Sequence, residues 1–372
     1  MADIDKAIDP EEQIELQVRN RNKTMDIEVD VTEEDPDLES FEELEDGTIA
    51  FGNVPAPAMD TDFSANLADL MDDSDLNSLR NDLMDNVESD KDSRSDWEKT
   101  YRDGLEYLGM KYEERSQPFE GASGVMHPLL AESVTQFQAQ AYNELLPSQG
   151  PVKTQVLGMT TPDSEAQASR VQEFMNYQLM QIMKEYDPET DQMLFYLPLS
   201  GSAFRKIYYD QNLGRAVSKF IPSEDLIVPY AATDLHSATR ITHVINMSIN
   251  DIKKLQQIGF YSDVDVDSGN MLAEDTDEIQ EEIDELQGVK PSYNDDDTCK
   301  VYEIHTELDI PGYEDLNAQG EETGIKLPYI VTIANNKVLS VRRNYREEDP
   351  LKQRVNYFVH YKFLPGLGFY GF

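Results

Sequence analysis

Residues 118–130 read Pro-Phe-Glu-Gly-Ala-Ser-Gly-Val-Met-His-Pro-Leu-Leu, and they place a serine and a histidine close together among glycines. In a hydrolase, the nucleophile stands in Gly-x-Ser-x-Gly, on a strand-to-helix turn that holds the hydroxyl over an oxyanion hole. Here Gly124 follows Ser123 directly, one position early, and no buried strand precedes Gly121. A base is present in His127, although the histidine of a catalytic triad usually comes from a distant part of the chain. A hydrolase that uses Ser123 and His127 is therefore retained only as a hypothesis to be tested.

The same glycines do not form a phosphate-binding loop. Such a loop needs a lysine and then a serine or threonine after its last glycine, because the lysine charge faces the phosphates. No lysine follows Gly124, and the three-glycine spacing of a dinucleotide-binding turn is absent as well. We expect no cofactor here, and we interpret the glycines as residues that allow a tight approach to a helix.

Residues 263–274 contain most of the ligand set of an EF-hand calcium loop. Carboxylates stand at positions 1, 3, 5 and 12 of this segment, namely Asp263, Asp265, Asp267 and Glu274. However, Ser268 occupies position 6, where the sharp turn of such a loop needs a glycine. The surrounding residues 261–298 hold 14 acidic side chains, so that chance matches are common. An acidic calcium-binding interaction module that uses Asp263–Glu274 is the alternative hypothesis for the function.

The remaining residues that could do chemistry are dispersed. The histidines are His127, His236, His243, His305 and His360, and no His-Glu-x-x-His or Cys/His metal spacing occurs. We expect His243 and His305 to be packed or solvated strand residues. The single cysteine, Cys299, cannot form an internal disulfide and lies in an alternating run, which predicts a buried or half-buried thiol in a reducing compartment. We assign no catalytic, cofactor-binding or metal-binding residue, and we predict that the chain is not an enzyme.

The formal net charge of −43 is concentrated in two segments. Residues 1–100 carry 31 acidic and 8 basic side chains, and residues 261–298 carry 14 acidic side chains and one basic side chain. Such acidity disfavours adhesion to nucleic acids and anionic membranes. The one short basic cluster, Arg342, Arg343 and Arg346, is predicted to be a solvated strand end. No apolar run reaches the roughly 18 residues of a membrane span, and the N-terminus lacks the apolar core of a signal peptide, so we expect a soluble, cytosol-type protein.

Apolar spacing predicts helices in the first half of the chain. Residues 76–109 form one helical pattern that is interrupted near Ser93. A second helix begins at Pro128 and ends at Pro147, with an apolar face of Leu130, Val134, Phe137, Ala141 and Leu145. Residues 152–158 are predicted to form a short strand. A third helix is capped by Thr161-Pro162-Asp163 and is expected to direct five side chains inward: Val171, Met175, Leu179, Ile182 and Met183.

Short strands dominate the second half. Strand-like runs occupy residues 203–210, 214–221, 238–247 and 300–308, and a capped helix is expected over 248–259. Residues 329–343 predict a hairpin that turns at Asn335-Asn336. The fold class is therefore α+β, with amphipathic helices and short antiparallel strands. The predicted organisation is a disordered acidic N-terminal arm over 1–75, a first body segment over 76–260, an acidic insertion over 261–298 and a second body segment over 299–372.

Three blocks of the sequence resemble portal proteins, the head-to-tail connectors of tailed double-stranded-DNA bacteriophages, and in particular the large portal class of short-tailed phages. The first block is residues 97–158, with the following pieces: Pro118-Phe119, His127-Pro128-Leu129, Phe137-Gln138-Ala139, Glu144-Leu145-Leu146-Pro147 and Gly150-Pro151-Val152-Lys153. The second is residues 201–210 with 220–255, and the third is residues 360–372, which are similar to the approach to that family's long stem helix. The resemblance covers about residues 95–260 and 298–372.

The resemblance implies a portal-type wing region and a homo-oligomeric ring, a dodecamer in that family, at one vertex of the capsid. Double-stranded DNA passes through such a ring during packaging and ejection without sequence-specific binding. The implied partners are the terminase large subunit, which hydrolyses ATP, together with capsid and scaffold proteins and head-completion or tail adaptor proteins, and no membrane. The implied location is the virion, after assembly in the host cytoplasm. Because the family continues beyond the position of Phe372 into its stem, the residues given are expected to hold mainly the wing.

Overall fold

The computed structural model describes residues 62–109, 119, 121, 127–210, 213–266, 279, 283, 286, 298–316, 321–365 and 368–371, and the backbone of two short strands near the N-terminus. The chain divides into two compact units, Met1–Met59 and Asp60–Phe372. In the first unit, β1 (Glu42–Glu43) and β2 (Ile49–Ala50) pair in an antiparallel ladder. The rest of the predicted disordered arm up to residue 61 lies outside the described residues.

The second unit combines helices with antiparallel strands, which confirms the predicted α+β class. Its helices are α1 (Asp73–Ser93), α2 (Ser95–Leu108), α3 (Leu129–Leu145), α4 (Pro162–Tyr177), α5 (Tyr186–Ser200) and α6 (Ile249–Gln257). Its strands are β3 (Ser202–Asp210), β4 (Arg215–Ile221), β5 (Leu226–Ile227), β6 (Arg240–Ser248), β7 (Thr298–Leu308), β8 (Leu327–Ala334), β9 (Lys337–Arg343) and β10 (Phe358–Lys362). None of the helices in the described part of the chain has both the length and the apolar character that a bilayer crossing requires.

The described strands of the second unit form two sheets. The five-stranded sheet has the order β5-β6-β7-β8-β9, and the three-stranded sheet has the order β10-β3-β4. The predicted hairpin is confirmed, because Asn335 and Asn336 form its turn with φ angles of 43° and 58°, which suit the twist of a two-residue hairpin. Cys299 lies on β7 and is buried, as its alternating run predicts.

The predicted helices α1 and α2 are separated at Arg94, close to the expected interruption at Ser93. Leu83 and Val87 of α1 are buried against the five-stranded sheet, so the four-residue spacing marks the face that packs. The helix predicted from Pro128 runs over α3, and Pro128 precedes its first turn instead of lying within it. Ser248 caps α6 through its side chain, as expected.

Residues 62–75 pack against the rest of the second unit, so the predicted disordered arm is wrong for these residues. Leu67 is fully buried, and the Asn66 side chain contacts the outer strand β9. Asn66 Oδ1 accepts a hydrogen bond from the Val341 N–H at 2.9 Å, while its Nδ2 donates to the Leu339 carbonyl at 3.2 Å. The polar composition of residues 62–75 suggested that they could not offset the loss of conformational entropy on ordering. Long-range contacts of this kind offset that loss.

The acidic insertion predicted over 261–298 also contributes to the core. Tyr261 and Val266 are buried against α6 and the five-stranded sheet. Three further apolar side chains pack against Tyr101 and Leu105 of α2, namely Ile279, Ile283 and Leu286. They recur at spacings of four and three residues, which is the pattern of a helix face. The predicted insertion is therefore acidic in composition, but it also carries a stripe of apolar side chains that packs against α2.

The basic cluster at the end of β9 is an anchor and not a solvated strand end. Arg342 and Arg343 donate hydrogen bonds to backbone carbonyls, while Arg346 is exposed. The acceptors are Ser64 O at 2.7 Å and Phe260 O at 2.7 Å for Arg342, and Phe63 O at 3.0 Å for Arg343. The two guanidinium groups thus hold the beginning of the body and the end of α6 against the sheet.

Helix α5 covers one face of the three-stranded sheet. Arg205 of β3 is buried and donates hydrogen bonds to Thr190 and to the Tyr186 carbonyl of that helix. At the outer strand β4, Glu189 Oε2 accepts a hydrogen bond from the Phe220 N–H at 2.6 Å. These polar contacts fix the helix in register with the strands, and its apolar residues fill the space between them.

Candidate functional site

The glycine-serine-histidine segment does not assemble a catalytic group in the described residues. Gly121 has a φ of 89° with open space around it, and His127 is exposed to solvent directly before α3. Ser123 and Gly124 lie outside the described residues, so the hydrolase hypothesis gains no support. The positive φ agrees with the interpretation that glycine permits a tight turn ahead of the helix.

Half of the candidate calcium set is described. Asp263 and Asp265 are exposed and alternate with Val264 and Val266, of which Val266 is buried. This alternation places the segment flat against the body, beside the Ser262 N–H that donates to Leu339 of β9. Asp267 and Glu274 lie outside the described residues. Across the described ranges, no three His, Cys, Asp or Glu side chains are placed to share a cation.

The strongest cluster of titratable groups lies between the two sheets. Lys206 of β3 reaches across to Glu303 of β7, with its Nζ atom 2.5 Å and 2.7 Å from the two carboxylate oxygens. His305 Nε2 is 2.8 Å from Glu303 Oε1, and His243 lies opposite Glu303 in the pairing of β6 with β7. We call these four residues the interface cluster. His243 and His305 are therefore packed groups, one of the two outcomes expected for strand histidines.

Burial and mutual charge shift the titration of the cluster. Burial, reinforced by the Lys206 ammonium, lowers the pKa of His243 to about 3 and also lowers the pKa of His305. Burial opposes ionisation of Glu303, but the Lys206 ammonium and the His305 N–H outweigh it and hold the pKa of Glu303 well below its ordinary value. At neutral pH the cluster is thus an ion pair with two neutral imidazoles. The Lys206 amine is engaged by both carboxylate oxygens of Glu303, so it is a structural contact.

A second distinctive feature is the segment from Gly150 through α4. We call this segment the arm from here on, and it is distinct from the predicted N-terminal arm over residues 1–75. The predicted strand over 152–158 is not formed there, because amide side chains of α4 bind its backbone instead. Asn176 accepts from the Val152 N–H at 2.9 Å and donates to the Val152 carbonyl at 3.1 Å. Gln172 accepts from the Thr154 N–H at 3.2 Å. The extended segment therefore lies along the helix and not in a sheet. The cap of α4 is confirmed, with Thr161 and Ser164 forming a reciprocal capping box.

The apolar side chains of the arm point outward. Val171, Phe174, Met175 and Tyr177 each expose between 43 % and 61 % of their surface, and Leu157 and Met159 expose nearly 90 %. The expectation that Val171 and Met175 face inward is wrong. Leu179 and Ile182, beyond the end of α4, are half-buried, and Met183 is buried. No residue of α4 itself is buried by the described part of the chain. A cluster of exposed large apolar side chains is typical of a protein-protein contact.

Close packing in the arm requires glycine at position 150. Gly150 has a φ of 94°, and a Cβ atom there would lie 2.5 Å from the Asn176 side chain. Gly158 has a nearly equal φ of 96° in open space and is the matched control. We expect Gly150→Ala to cost about 3 kcal/mol or more and Gly158→Ala about 1–2 kcal/mol, since overpacking is added to the same backbone strain only at position 150. Urea unfolding, with hydrogen exchange of the Val152 N–H, measures the difference. Equal costs at the two positions would contradict the role of the contact.

The described residues 369–371 near the C-terminus are packed into the core. Phe369 and Tyr370 are buried, and the Tyr370 ring stacks on Trp97 with centroids 4.4 Å apart. The Gly371 N–H donates to Ser202 Oγ at 3.0 Å, and a Cβ atom at Gly371 would lie 2.6 Å from the Gly201 carbonyl. This segment thus joins the start of β3 to α2 and leaves room only for glycine beside Gly201.

Arg94 links these parts and is a residue that the sequence did not identify. It stands between α1 and α2 with 1 % of its surface exposed. Its guanidinium donates to Glu98 Oε1 at 2.7 Å, Glu224 O at 2.8 Å, Ser223 O at 3.0 Å, Leu226 O at 3.0 Å and Tyr370 Oη at 3.1 Å. The local signal was the helix interruption, but the acceptors are over 120 residues away in sequence apart from Glu98, so the pattern alone could not reveal the contact.

No known protein-family model matches the chain, and no curated protein is significantly similar to it.

Proposed function

We propose that the chain is a subunit of a portal-type, homo-oligomeric ring, with a structural and non-catalytic role in packaging and ejecting DNA. The observation that carries the proposal is the arm, whose apolar side chains are left uncovered by the described part of the chain. Full burial of a large apolar side chain contributes about 1.5–3 kcal/mol, so several of them in one contact favour association. A second copy of the chain is the partner that a ring requires.

The positions of the resembling blocks support this proposal. The first block contributes α2, α3 and the extended segment of the arm, the second contributes β3 to β6 and α6, and the third contributes β10 and the packed C-terminal segment. The three blocks meet at Tyr370, whose ring stacks on Trp97 and whose hydroxyl donates to the Leu226 carbonyl at 3.1 Å. Segments distant in sequence thus build one body, which a portal-type wing region would also require.

Partners follow from the proposed role. A portal ring engages the terminase large subunit, capsid and scaffold proteins, and head-completion or tail adaptor proteins, and its location is the capsid vertex of the virion. In this role the terminase hydrolyses ATP while the chain itself does no chemistry. The strong negative charge of the chain agrees with a wall past which DNA slides, because each lysine- or arginine-phosphate contact would add salt-dependent adhesion.

The mass of the protein in solution tests the proposal. We expect the chain at high micromolar concentration to form assemblies well above the 42.4 kDa of one copy, with ring-shaped particles in negative-stain microscopy. Phe174→Asp combined with Met175→Asp should weaken association by more than about a hundredfold, since two exposed apolar anchors are replaced by charges. Light scattering after size exclusion across a concentration series measures the shift.

Gln167→Asp is the matched control, because it adds a carboxylate at another exposed position of α4 without removing an apolar side chain. The control should assemble like the unmodified chain. A uniform 42.4 kDa species at high concentration would refute the ring proposal, and equal effects of the control and the double variant would show that the apolar arm is not the contact.

A further inference from the structure

The interface cluster is placed where the two sheets meet. Lys206 belongs to the three-stranded sheet, whereas Glu303 and His305 belong to β7 of the five-stranded sheet. Phe358 of β10 packs over the cluster, with its ring centroid 5.0 Å from that of His305 and 5.9 Å from that of His243. The ion pair, the two imidazoles and this phenyl ring therefore form one contact that spans both sheets.

The hydrogen bonds of the cluster favour neutral imidazoles. His305 lies between Glu303 Oε1, at 2.8 Å from Nε2, and Asn344 Nδ2, at 3.4 Å from Nδ1. The neutral ring satisfies both neighbours when it donates through Nε2 and accepts through Nδ1. A second proton on Nδ1 would remove the acceptor for Asn344. His243 Nδ1 is buried without a hydrogen-bond partner among the described residues, so a proton there would be a buried donor beside the Lys206 ammonium.

The charges around the cluster are more basic than acidic. Four charged groups face the imidazoles and the carboxylate: Lys206 of β3, Lys219 of β4, Glu303 of β7 and Arg354 after β9. The nearby phenols are Tyr208, Tyr261 and Tyr357. A proton added to either histidine therefore meets one carboxylate and several cations at close range. In a buried contact that arrangement disfavours the charged imidazole.

We propose that the interface cluster is an acid-sensitive clasp that holds the three-stranded sheet against the five-stranded sheet. At neutral pH the Lys206–Glu303 pair and the two neutral histidines close the contact. On acidification, the histidines take up protons only when the contact opens, because opening gives the imidazolium groups access to water. The three-stranded sheet then loosens from its partner, and its strand pairing opens before the five-stranded sheet loses its own pairing.

The direction of the pH effect follows from proton uptake. An exposed histidine titrates near pH 6.5, whereas the closed contact keeps both imidazoles neutral to lower pH. The stabilising contribution is therefore complete above about pH 6.5 and decreases as the pH falls below that value. Glu303 acts in the same direction, since its ion pair is lost when the carboxylate is protonated. Acid opens the clasp, and neutral pH closes it.

Hydrogen exchange at single-residue resolution tests the clasp. Between about pH 7 and about pH 4.5, after correction for intrinsic exchange, we expect the opening equilibrium at β3 and β10 to increase about a hundredfold for each histidine that takes up a proton. The amides paired between β8 and β9 should change by less than about tenfold, because those strands do not contribute to the cluster. An equal increase in all strands would mean global acid unfolding and would overturn the proposal.

Variants separate the clasp from general acid sensitivity. The double variant His243→Phe and His305→Gln should lose most of the selective opening at acid pH, whereas His127→Gln, at an exposed histidine, should retain it. If the double variant does not fold, His243→Phe alone is the test. It is expected to halve the logarithm of the acid-induced increase in the opening equilibrium at β3 and β10. An unchanged response in the folded variant with altered histidines would refute the clasp. A second result would also refute it: in the unmodified protein, the imidazole resonances of His243 and His305 titrate near pH 6.5 while the hydrogen exchange of β3 and β10 stays constant.

Discussion

Replacement of Arg94 by methionine is expected to lower the free energy of unfolding by about 3–5 kcal/mol, one of the two largest effects of a single substitution that we predict. Methionine is of similar length and retains much of the packing, but it cannot donate hydrogen bonds. The carbonyls of Ser223, Glu224 and Leu226 would remain buried without the guanidinium. Each buried polar group that loses its partner costs about 1–3 kcal/mol, and here several lose it together.

Urea unfolding followed by circular dichroism measures the change, and Arg170→Met is the matched control. Arg170 is exposed on α4, so the same substitution there should change stability by no more than about 0.5 kcal/mol. Arg94→Lys should fall between the two, since lysine keeps the charge but lacks the planar fork that reaches several acceptors at once. A cost below about 1 kcal/mol for Arg94→Met would contradict its assignment as the link between the helices, the β4–β5 loop and Tyr370.

Breaking the Lys206–Glu303 pair is expected to have a comparable cost. Lys206→Met leaves the Glu303 carboxylate, only 19 % exposed, without its counter-charge, and Glu303→Gln leaves the ammonium in the same position. Each single variant should lose about 3–5 kcal/mol at neutral pH, because removing one member of a buried pair leaves an uncompensated charge. The double variant should be more stable than the sum of the two losses implies, because no charge is then left unpaired.

A double-mutant cycle from urea unfolding gives the coupling energy, which we expect to exceed about 1.5 kcal/mol. The pair Lys254–Asp251 on α6 serves as the control, with a comparable distance of 2.8 Å but side chains that are 67 % and 53 % exposed. Its coupling should be much smaller, because water screens exposed charges. Equal coupling in the two cycles would indicate that the interface cluster is as solvated as a surface pair.

Local sequence signals were sufficient for most of the secondary structure. The interruption near Ser93, the Thr161 cap and the Asn335-Asn336 turn each depend on a few neighbouring residues, and all three are present. The prediction of a strand over 152–158 was wrong because the backbone of this segment binds the Asn176 and Gln172 side chains. No periodic pattern in the sequence reveals such partners. The spacing of apolar residues also predicted the apolar side of α4. It did not indicate whether other residues of this chain bury that side.

The contacts that define the candidate sites are long-range, and this explains why the sequence did not reveal them. Asn66 stands in a polar stretch that favours disorder, yet its amide matches the backbone of a strand more than 270 residues away. Lys206 and Glu303 lie in ordinary alternating strands, and only the packing of one sheet on the other brings their charges together. Composition similarly concealed the stripe of Ile279, Ile283 and Leu286 within an acidic segment.

Two outer strands of this protein have part of their free edge occupied by polar side chains. The Asn66 amide satisfies both a donor and an acceptor on β9, and the Glu189 carboxylate satisfies a donor on β4. A strand edge with free amides and carbonyls is a template on which another chain can add, and such addition can continue without limit as a fibre. In the proposed ring, with these two edges occupied, contacts between copies would involve side-chain surfaces such as the arm, where geometry can close a finite assembly. The protein is thereby protected from polymerising through these two strand edges.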